Sequence, residues 1–277
     1  MTIDAHHHLW KYSSADYDWI DDDMSVLKQD YLLPELHKVM SDNDIQGSIV
    51  VQARQSLIET DWLLDLADAS KLIKGVVGWV DLKSPDLASL LEHYQKQNKL
   101  VGFRHVIQAE TDPEFMLNPK FLNGLKLLAA HKLTFDLLIF SHQLPQAIKM
   151  LEQVPDLRVV IDHIAKPEIK EAKNKQAWRD GMEALARNPN TYCKVSGMVT
   201  EADWESWKAA DFEYYLEQCL LIFGERRLMF GSDWPVCLVA AEYSQIKSLV
   251  DNFFAKLDAK SRADIFDKNA KRFYQLT

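Results

Sequence analysis

The residues best suited to chemistry stand near the two ends of the chain. Residues 4–10 read DAHHHLW and residues 230–235 read FGSDWP. Imidazole and carboxylate groups bind first-row metal ions, and the same groups act as general acids and bases. His6 and His8 at the end of a first strand, facing Asp233 at the end of a last strand, therefore predict a hydrolytic or metal site.

Strand alternation predicts which histidines act together. Side chains two residues apart point to the same side of a strand, so Asp4, His6 and His8 are expected to share a face while His7 points away. A pair of histidines can also be ordinary polar lining. The distant carboxylate of Asp233 is what favours the chemical interpretation.

Composition narrows the class of protein. The 277 residues are enough for one large α/β barrel or two small domains, and the net charge of −9 argues against a nucleic acid or an anionic membrane as partner. The chain has three cysteines, an odd number, and their spacings match no zinc motif. This cysteine content fits a reducing compartment. The N-terminus has no basic, apolar signal segment. These features together predict a cytoplasmic protein.

Apolar, β-branched runs alternate with helical patterns along the whole chain. Ser84-Pro85 and Asn118-Pro119 are typical of helix starts. Such alternation predicts a parallel sheet, and eight repeats fit a (β/α)8 TIM barrel that spans residues 1–277 as a single domain. A doubly wound open sheet is the alternative, but no glycine-rich phosphate loop favours it. The predicted strands are 2–9, 46–53, 74–81, 100–107, 133–140, 158–163, 191–196 and 227–232.

Polar side chains collect where the predicted strands end. Active sites of such barrels lie at the carboxyl ends of the strands. Arg104 and His105 cannot both face inward from a regular strand, so only one of them is expected to face the site. The polar residues at the strand ends are His6, His8, Gln52, Arg54, Trp79, Asp81, Arg104, His105, Asp162, His163, Lys194, Ser196 and Asp233.

The segment between the first strand and the first helix, residues 10–31, is unusually long and rich in aromatic and acidic residues. Aromatic faces with polar groups suit a sugar-like ligand, which makes Trp10 a candidate substrate contact. The equally weighted alternative is a lid that packs its aromatic residues on the barrel and leaves the acids in solvent.

Six segments together resemble the amidohydrolase superfamily, and within it the sugar lactonases of the L-fuconolactonase and L-rhamnonolactonase type. The resemblance runs from residue 3 to the C-terminal region and implies a barrel of the metal-dependent hydrolase type that opens aldonolactones or related esters. The segments are 4–10, 75–82 (GVVGWVDL), 102–105 (GFRH), 162–167 (DHIAKP), 193–197 (CKVSG) and 230–235.

The same resemblance implies roles for individual residues. It assigns catalysis and metal binding to His6, His8, His163 and Asp233. Arg104 and His105 match the family's substrate-binding strand. Further candidates for orienting sugar hydroxyls are Gln52, Trp79, Lys166 and Lys194, although each could be structural.

One departure from the wider superfamily bears on the metal. Two-metal members commonly have a bridging lysine or glutamate after the fourth strand and a histidine after the fifth. Here the fifth strand has no histidine within it, and His142 lies beyond, at the start of the next helix. One divalent metal per chain, zinc being the first choice, or no metal at all, therefore fits better than two.

The predicted reaction is hydrolysis of a sugar lactone by a water molecule that Asp233 activates. One alternative is a non-sugar lactone, such as a muconolactone or a pyrone. Another is a metal-dependent decarboxylase of the same superfamily, and a third is a sugar-acid binding protein without catalysis. The expected partner is a small molecule, and the oligomeric state is open, a homodimer included.

Overall fold

A computed structural model describes residues 1–276, so Thr277, the last residue of the predicted domain, lies outside the described part. Eight parallel strands form one sheet in chain order, each paired with the next. The sheet curls round so that His7 also pairs with Trp234, which brings the first strand against the segment that follows the last. The strands are β1 (Ile3–His7), β2 (Gly47–Val51), β3 (Ile73–Gly78), β4 (Leu100–His105), β5 (Thr134–Leu137), β6 (Arg158–Ile161), β7 (Thr191–Val195) and β8 (Leu228–Phe230).

A helix follows each strand, which confirms the prediction of a (β/α)8 barrel. These helices are α1 (Leu33–Asp42), α2 (Leu57–Ala69), α3 (Leu87–Tyr94), α4 (Pro119–Ala130), α5 (Leu144–Gln153), α6 (Lys175–Ala186), α7 (Ala209–Phe223) and α8 (Tyr243–Phe254). A terminal segment adds α9 (Ala259–Ala263), one π-helical stretch over Asp264–Lys268, and α10 (Asn269–Tyr274). None of the helices formed by residues 1–276 is long and apolar enough to cross a membrane.

The amino-terminal half of the barrel interior is apolar. Ile3, Ile49, Val77 and Met229 come from four different strands and form one buried cluster with side chains of α10, including Tyr274. A larger apolar cluster fills the space between the strands and the surrounding helices. Polar groups inside the barrel are therefore confined to its carboxyl-terminal half, where the strand ends meet.

Strand β1 contains a bulge that decides which of its side chains face inward. Asp4 pairs with Ser48 but His7 pairs with Val50, so β1 has one residue more than β2 over this stretch. A bulge of this kind reverses the alternation of side chains beyond it. The prediction that Asp4 shares a face with the histidines is therefore wrong: the Asp4 carboxylate accepts hydrogen bonds from Tyr243 (2.9 Å) and Ser232 (2.6 Å) instead.

The strands are shorter than the sequence predicts, mainly at their carboxyl ends. The fifth was expected over 133–140 but ends at Leu137, and the eighth was expected over 227–232 but ends at Phe230. The residues just beyond are buried but no longer form ladder pairs. His8, His163 and Asp233 lie at such positions, just beyond the ends of their strands.

Candidate active site

The mouth of the barrel holds three histidines around one carboxylate, a group we call the histidine cluster (His6, His8, His163 and Asp233). Asp233 Oδ1 lies 3.8 Å from His6 Nε2, 3.5 Å from His8 Nε2 and 3.8 Å from His163 Nε2. The Nε2 atoms of His6 and His8 are 3.2 Å apart. All four side chains are buried. Three imidazole nitrogens therefore converge on one carboxylate oxygen at distances just beyond hydrogen bonding.

Contacts on the far side of the rings orient these histidines. His8 Nδ1 lies 2.8 Å from the carbonyl oxygen of Val51, which can only accept, so His8 carries its proton there and keeps a lone pair on Nε2. His163 Nδ1 lies 2.9 Å from Ser196 Oγ. Burial lowers the pKa of His8 to about 3 and that of His163 to about 4, and it lowers the pKa of His6 well below its usual value. The three rings are therefore neutral near pH 7.

The backbone that carries His163 is left-handed over four consecutive residues. His163 has φ 52°, Ile164 48°, Ala165 58° and Lys166 43°, and none of them is glycine. Asp233, on the opposite side of the cluster, has φ 61°. Each such residue costs on the order of 1–3 kcal/mol and persists only where the surrounding structure enforces it. Both segments are therefore held in unusual conformations where they deliver a side chain to the site.

Gly197 is required by the position of His163. Its φ is +59°, and a Cβ atom at this position would lie 2.4 Å from His163 Nδ1. Any side chain there would push the imidazole away from Ser196. The glycine of the CKVSG segment thus serves the orientation of a histidine that is distant in sequence.

A second polar group lies deeper in the barrel, and we call it the ion network (Arg104, Asp136, Asp162 and Lys194). Lys194 Nζ lies 2.5 Å from Asp136 Oδ2 and 3.0 Å from Asp162 Oδ1, while Arg104 Nη1 donates to Asp162 Oδ2 at 3.1 Å. The hydroxyl of Tyr274, from α10, donates to Asp136 at 2.9 Å. Two cations therefore match two carboxylates, and Tyr274 connects them to the barrel base.

The two groups meet at His6. Its Nδ1 lies 3.0 Å from Lys194 Nζ and 3.3 Å from Asp162 Oδ1, and its Nε2 lies 3.2 Å from Arg104 Nη1. Burial alone would raise the pKa of Asp162, but Lys194 and His6 outweigh it and hold that pKa well below its usual range. Asp233 has no such partner, and burial raises its pKa. One carboxylate is thus held ionised, and the other is poised to accept a proton.

The structure separates Arg104 from His105. Arg104 faces inward, contacts His6 and Asp162, and donates through Nη2 to the carbonyl oxygen of Gln52. His105 stacks on Phe115 with ring centroids 4.9 Å apart, and its Nε2 lies 2.6 Å from Glu110 Oε1. Arg104 therefore belongs to the site, whereas His105 is held by the loop after β4.

The remaining rim residues differ in what holds them. Gln52 is fully buried beside Arg104, with Nε2 3.4 Å from the Arg104 carbonyl oxygen. Trp79 is partly exposed, and its indole N–H points to His105 Nδ1 at 3.4 Å. Lys166 Nζ lies 3.2 Å from Glu201. Trp79 and Lys166 thus keep surface at the rim, while Gln52 supports the guanidinium.

Two predicted substrate contacts, Trp10 and Lys194, are enclosed by protein groups. Trp10 is fully buried, its indole N–H donates to the carbonyl oxygen of Gln29 at 2.9 Å, and its ring packs on Tyr17 and Tyr31. The loop over residues 10–31 therefore buries Trp10, Tyr17 and Tyr31, as a packed lid would, while Trp19 stays exposed. Lys194 is also fully buried, and its ammonium contacts only groups inside the barrel. It is therefore not a surface charge.

Sequence reasoning missed Asp136 and Tyr274. Asp136 stands in an otherwise apolar run, TFDLLIF, and a carboxylate in a buried strand is costly unless it is paired. That signal was available in the sequence and predicts a cationic partner inside the barrel. Tyr274 carried no such signal, because its contact with Asp136 joins residues 138 positions apart.

The histidine cluster fits a single metal ion. His6, His163 and Asp233 each offer a ligand atom, and these atoms all lie within 4.8 Å of one another; His8 Nε2 is close to two of them. Imidazole nitrogens with one carboxylate oxygen form a donor set that zinc takes readily. The Arg104 guanidinium lies 3.2 Å from His6 Nε2, the nitrogen that faces Asp233. A metal ion bound to that nitrogen would therefore lie beside the guanidinium.

A barrel with histidines and a carboxylate at its carboxyl-terminal mouth is the arrangement expected of the amidohydrolase superfamily. Residues 3–276 match the amidohydrolase family. The chain is 40% identical to an L-fucono-1,5-lactonase of Burkholderia multivorans, over 100% of this chain and 96% of that one. It is 33% identical to an L-fucono-1,5-lactonase of Burkholderia ambifaria, over 99% and 95%. The chain belongs to the amidohydrolase family.

A solved structure agrees over the full length. An amidohydrolase of Burkholderia multivorans crystallised with bound zinc superposes with a TM-score of 0.96 at 40% identity, and the alignment covers 100% of both chains. The family therefore includes a zinc-bound relative of nearly the same backbone, and this chain has a possible metal site at its barrel mouth.

Proposed function

We propose that this protein hydrolyses a sugar lactone to the corresponding sugar acid. The observation that carries the proposal is Asp233, a buried carboxylate whose Oδ1 lies 3.5–3.8 Å from three imidazole nitrogens. Its pKa is raised by burial, as suits a general base. The two lactonases of Burkholderia, similar to this chain over nearly its full length, support a lactone as substrate.

The reaction follows from the positions of these groups. Asp233 removes a proton from water as the water oxygen attacks the lactone carbonyl carbon. Negative charge then develops on the carbonyl oxygen, and the guanidinium of Arg104 stabilises it. The bond from carbon to the ring oxygen breaks, and that oxygen takes up the proton that Asp233 removed from water. The product is a hydroxy acid, which releases one proton to solvent near neutral pH.

A metal ion in the histidine cluster, for which zinc is our choice, would be held by His6, His8, His163 and Asp233. It would polarise the carbonyl and lower the pKa of a water molecule. We expect at most one ion per chain. Elemental analysis after dialysis against excess zinc tests this number, and two tightly held equivalents in the native chain would contradict it.

The sugar-orienting groups are proposed from their places around the cluster. Trp79 and Lys166 retain surface at the rim, and Arg104 with Gln52 lies at the inner wall. We propose that His105 contributes to substrate binding indirectly, because its Nδ1 accepts a hydrogen bond from the indole N–H of Trp79 and so orients that ring. We also propose that residues 1–277 form one domain and that the protein is cytoplasmic, in keeping with three buried, unpaired cysteines.

A pH-indicator screen of aldono-1,4- and aldono-1,5-lactones, led by L-fuconolactone, tests the proposal. The native chain should acidify the assay solution with at least one lactone, and Asp233→Asn should not. A parallel assay for carbon dioxide with aromatic acids addresses the decarboxylase alternative, and a muconolactone and a pyrone address the non-sugar lactones. Turnover of those compounds, with no sugar lactone opened, would overturn the proposed substrate class.

A further inference from the structure

A second trio of metal-binding groups lies directly beneath the histidine cluster. His6, Asp136 and Asp162 each offer a ligand atom, these atoms all lie within 4.8 Å of one another, and all three residues are buried. We call them the lower trio. An imidazole with two carboxylates is a donor set that divalent metals accept. His6 belongs to both groups, because its Nε2 faces Asp233 and its Nδ1 faces Asp162. A neutral imidazole has a lone pair on only one nitrogen, so His6 would bind ions in both groups at once as an imidazolate that has released its ring proton to solvent.

The ammonium of Lys194 stands among these three donors. Its Nζ lies 2.5 Å from Asp136, 3.0 Å from Asp162 and 3.0 Å from His6 Nδ1. The side chain is fully buried and also lies over the ring of Tyr274, with Nζ 5.7 Å from the ring centroid. Two carboxylates this close together repel each other inside a protein unless a cation lies between them. The lysine meets that requirement with a charge that is covalently attached.

The charges of the ion network already cancel, so no net negative charge remains to attract another cation. Asp136 and Asp162 carry two negative charges, and Lys194 and Arg104 carry two positive ones. A divalent ion added here would leave two uncompensated positive charges in the barrel interior. Removal of the lysine side chain would reverse this, since both space and net negative charge would appear beside His6 Nδ1.

We infer that Lys194 is the resident cation of the lower trio, that it takes the place of a second metal ion, and that it thereby restricts metal binding to the histidine cluster. Lys194 is a positioning residue: it acts on the reaction through Asp162 and His6. The inference rests on the proposed function in one respect: the expected total number of bound ions includes the one ion proposed for the histidine cluster. The content of the lower trio is independent of which lactone the protein opens.

The test compares bound zinc in the native chain and in Lys194→Ala. Each protein is saturated with zinc, passed over a desalting column and analysed for metal per chain. Lys194→Ala should hold one equivalent more than the native chain, and zinc should raise its melting temperature more than that of the native chain, because an ion that binds only the folded state stabilises it. The double variant Lys194→Ala/Asp136→Asn should lose this extra equivalent. Lys170→Ala, which removes an exposed lysine, is the matched control and should bind as the native chain does.

A folded Lys194→Ala variant that holds no more zinc than the native chain would overturn the inference. If that variant does not fold, the native chain gives an independent answer. A native chain that binds two equivalents, one of which disappears in Asp136→Asn, would show that the lower trio already accepts metal beside the lysine. Neither measurement uses a substrate, so failure of the lactonase proposal leaves both outcomes interpretable.

Discussion

The histidine cluster and the ion network lie next to each other inside the barrel, yet their contacts differ in kind. In the ion network, carboxylate and cation are 2.5–3.1 Å apart, which is direct hydrogen bonding. In the histidine cluster, the Asp233 oxygen approaches the imidazole nitrogens no closer than 3.5 Å. In the deeper group every charge faces an opposite charge, whereas the upper group keeps capacity to bind a proton, a metal ion or a substrate.

The backbone also differs between the two regions: it is regular in most of the ion network and strained at His163 and Asp233 in the histidine cluster. Arg104, Asp136 and Lys194 project from the regular strands β4, β5 and β7. His163 and Asp233 sit just beyond strand ends, with left-handed φ angles. Regular strands provide a rigid base, and the strained segments above it aim the reactive groups. We therefore expect changes in the upper group to affect mainly rate, and changes at Asp136, Asp162 and Lys194 in the deeper group to affect mainly stability.

The strongest test of this contrast is Asp233→Asn. Because the amide cannot accept the proton of water, kcat should fall by about 10²–10⁴-fold, the usual worth of general-base catalysis. The free energy of unfolding should stay equal or rise, since a buried carboxylate without a cation is removed. Lactone hydrolysis and urea unfolding measure the two effects, with exposed Asp112→Asn as control. Retention of more than about a tenth of kcat would remove Asp233 from the base role.

The opposite behaviour is expected of Asp162→Asn in the ion network. This change leaves Lys194 and Arg104 with one carboxylate fewer, and breaking a buried ion pair costs about 3–5 kcal/mol of stability. Urea unfolding should show the loss, while exposed Asp156→Asn should show none. A stability loss below about 1 kcal/mol would mean that the network is not the rigid base inferred here.

The three adjacent histidines sharpen the contrast within one strand. His6→Ala and His8→Ala should lower kcat/KM by about 10²–10³-fold, because each removes a group that faces the reacting atoms. His7→Ala should instead cost about 1–3 kcal/mol of stability, since it abolishes a contact of 3.0 Å with Ser48. Kinetics on folded protein decide the matter. If His7→Ala proves the most damaging for kcat/KM, the assigned facing of β1 is wrong.

Glu59 offers a buried carboxylate outside both groups. It accepts hydrogen bonds from the backbone N–H groups of Ala53 and Arg54 and from the Tyr17 hydroxyl, and burial raises its pKa to about 7. The native state therefore binds more protons than the unfolded state between pH 4.5 and 7, so this group's contribution to stability falls as the pH rises through that range. Glu59→Gln should reduce the loss of stability between pH 5 and 7.5 by about 1–3 kcal/mol. Unfolding at the two pH values tests this, and an unchanged pH dependence would contradict the shift.

Ser196→Ala should have the smallest effect. The serine hydroxyl holds His163 Nδ1 at 2.9 Å, and loss of a group that orients a functional histidine costs about tenfold in activity or metal affinity. The measurement is kcat/KM together with zinc affinity, and exposed Ser206→Ala serves as control. A loss comparable to that of His8→Ala would mean that Ser196 itself contacts the substrate.

Much of this molecule follows from its sequence. The alternation of apolar runs and helical patterns predicted eight strands in a barrel, and the family match and the solved relative confirm it. The interpretation as a lactonase of the amidohydrolase superfamily is likewise supported by the relatives of that name. The roles of individual site residues stay predictions. His6, His8, His163 and Asp233 nevertheless lie together, as their places at strand ends indicated.

Other features could not be predicted from the sequence, because they depend on a local irregularity or on long-range contacts. Alternation placed Asp4 on the face of His6, but a single extra residue in β1 reversed the order, and bulges leave little trace in sequence. Lys194 and Trp10 carry groups that suit a sugar, yet they are enclosed by Asp136 and Asp162 in one case and by the loop's own aromatic rings in the other.

The sequence by itself determined the barrel and the supply of reactive groups at its mouth, because strand and helix periodicities are local properties that each segment carries alone. Only the tertiary structure decided which nitrogen of His6 faces Asp233 and which faces Lys194, and that Tyr274 reaches Asp136 from the barrel base. These contacts join residues more than a hundred positions apart. They arise when the sheet closes and its interior side chains must neutralise one another in the absence of water.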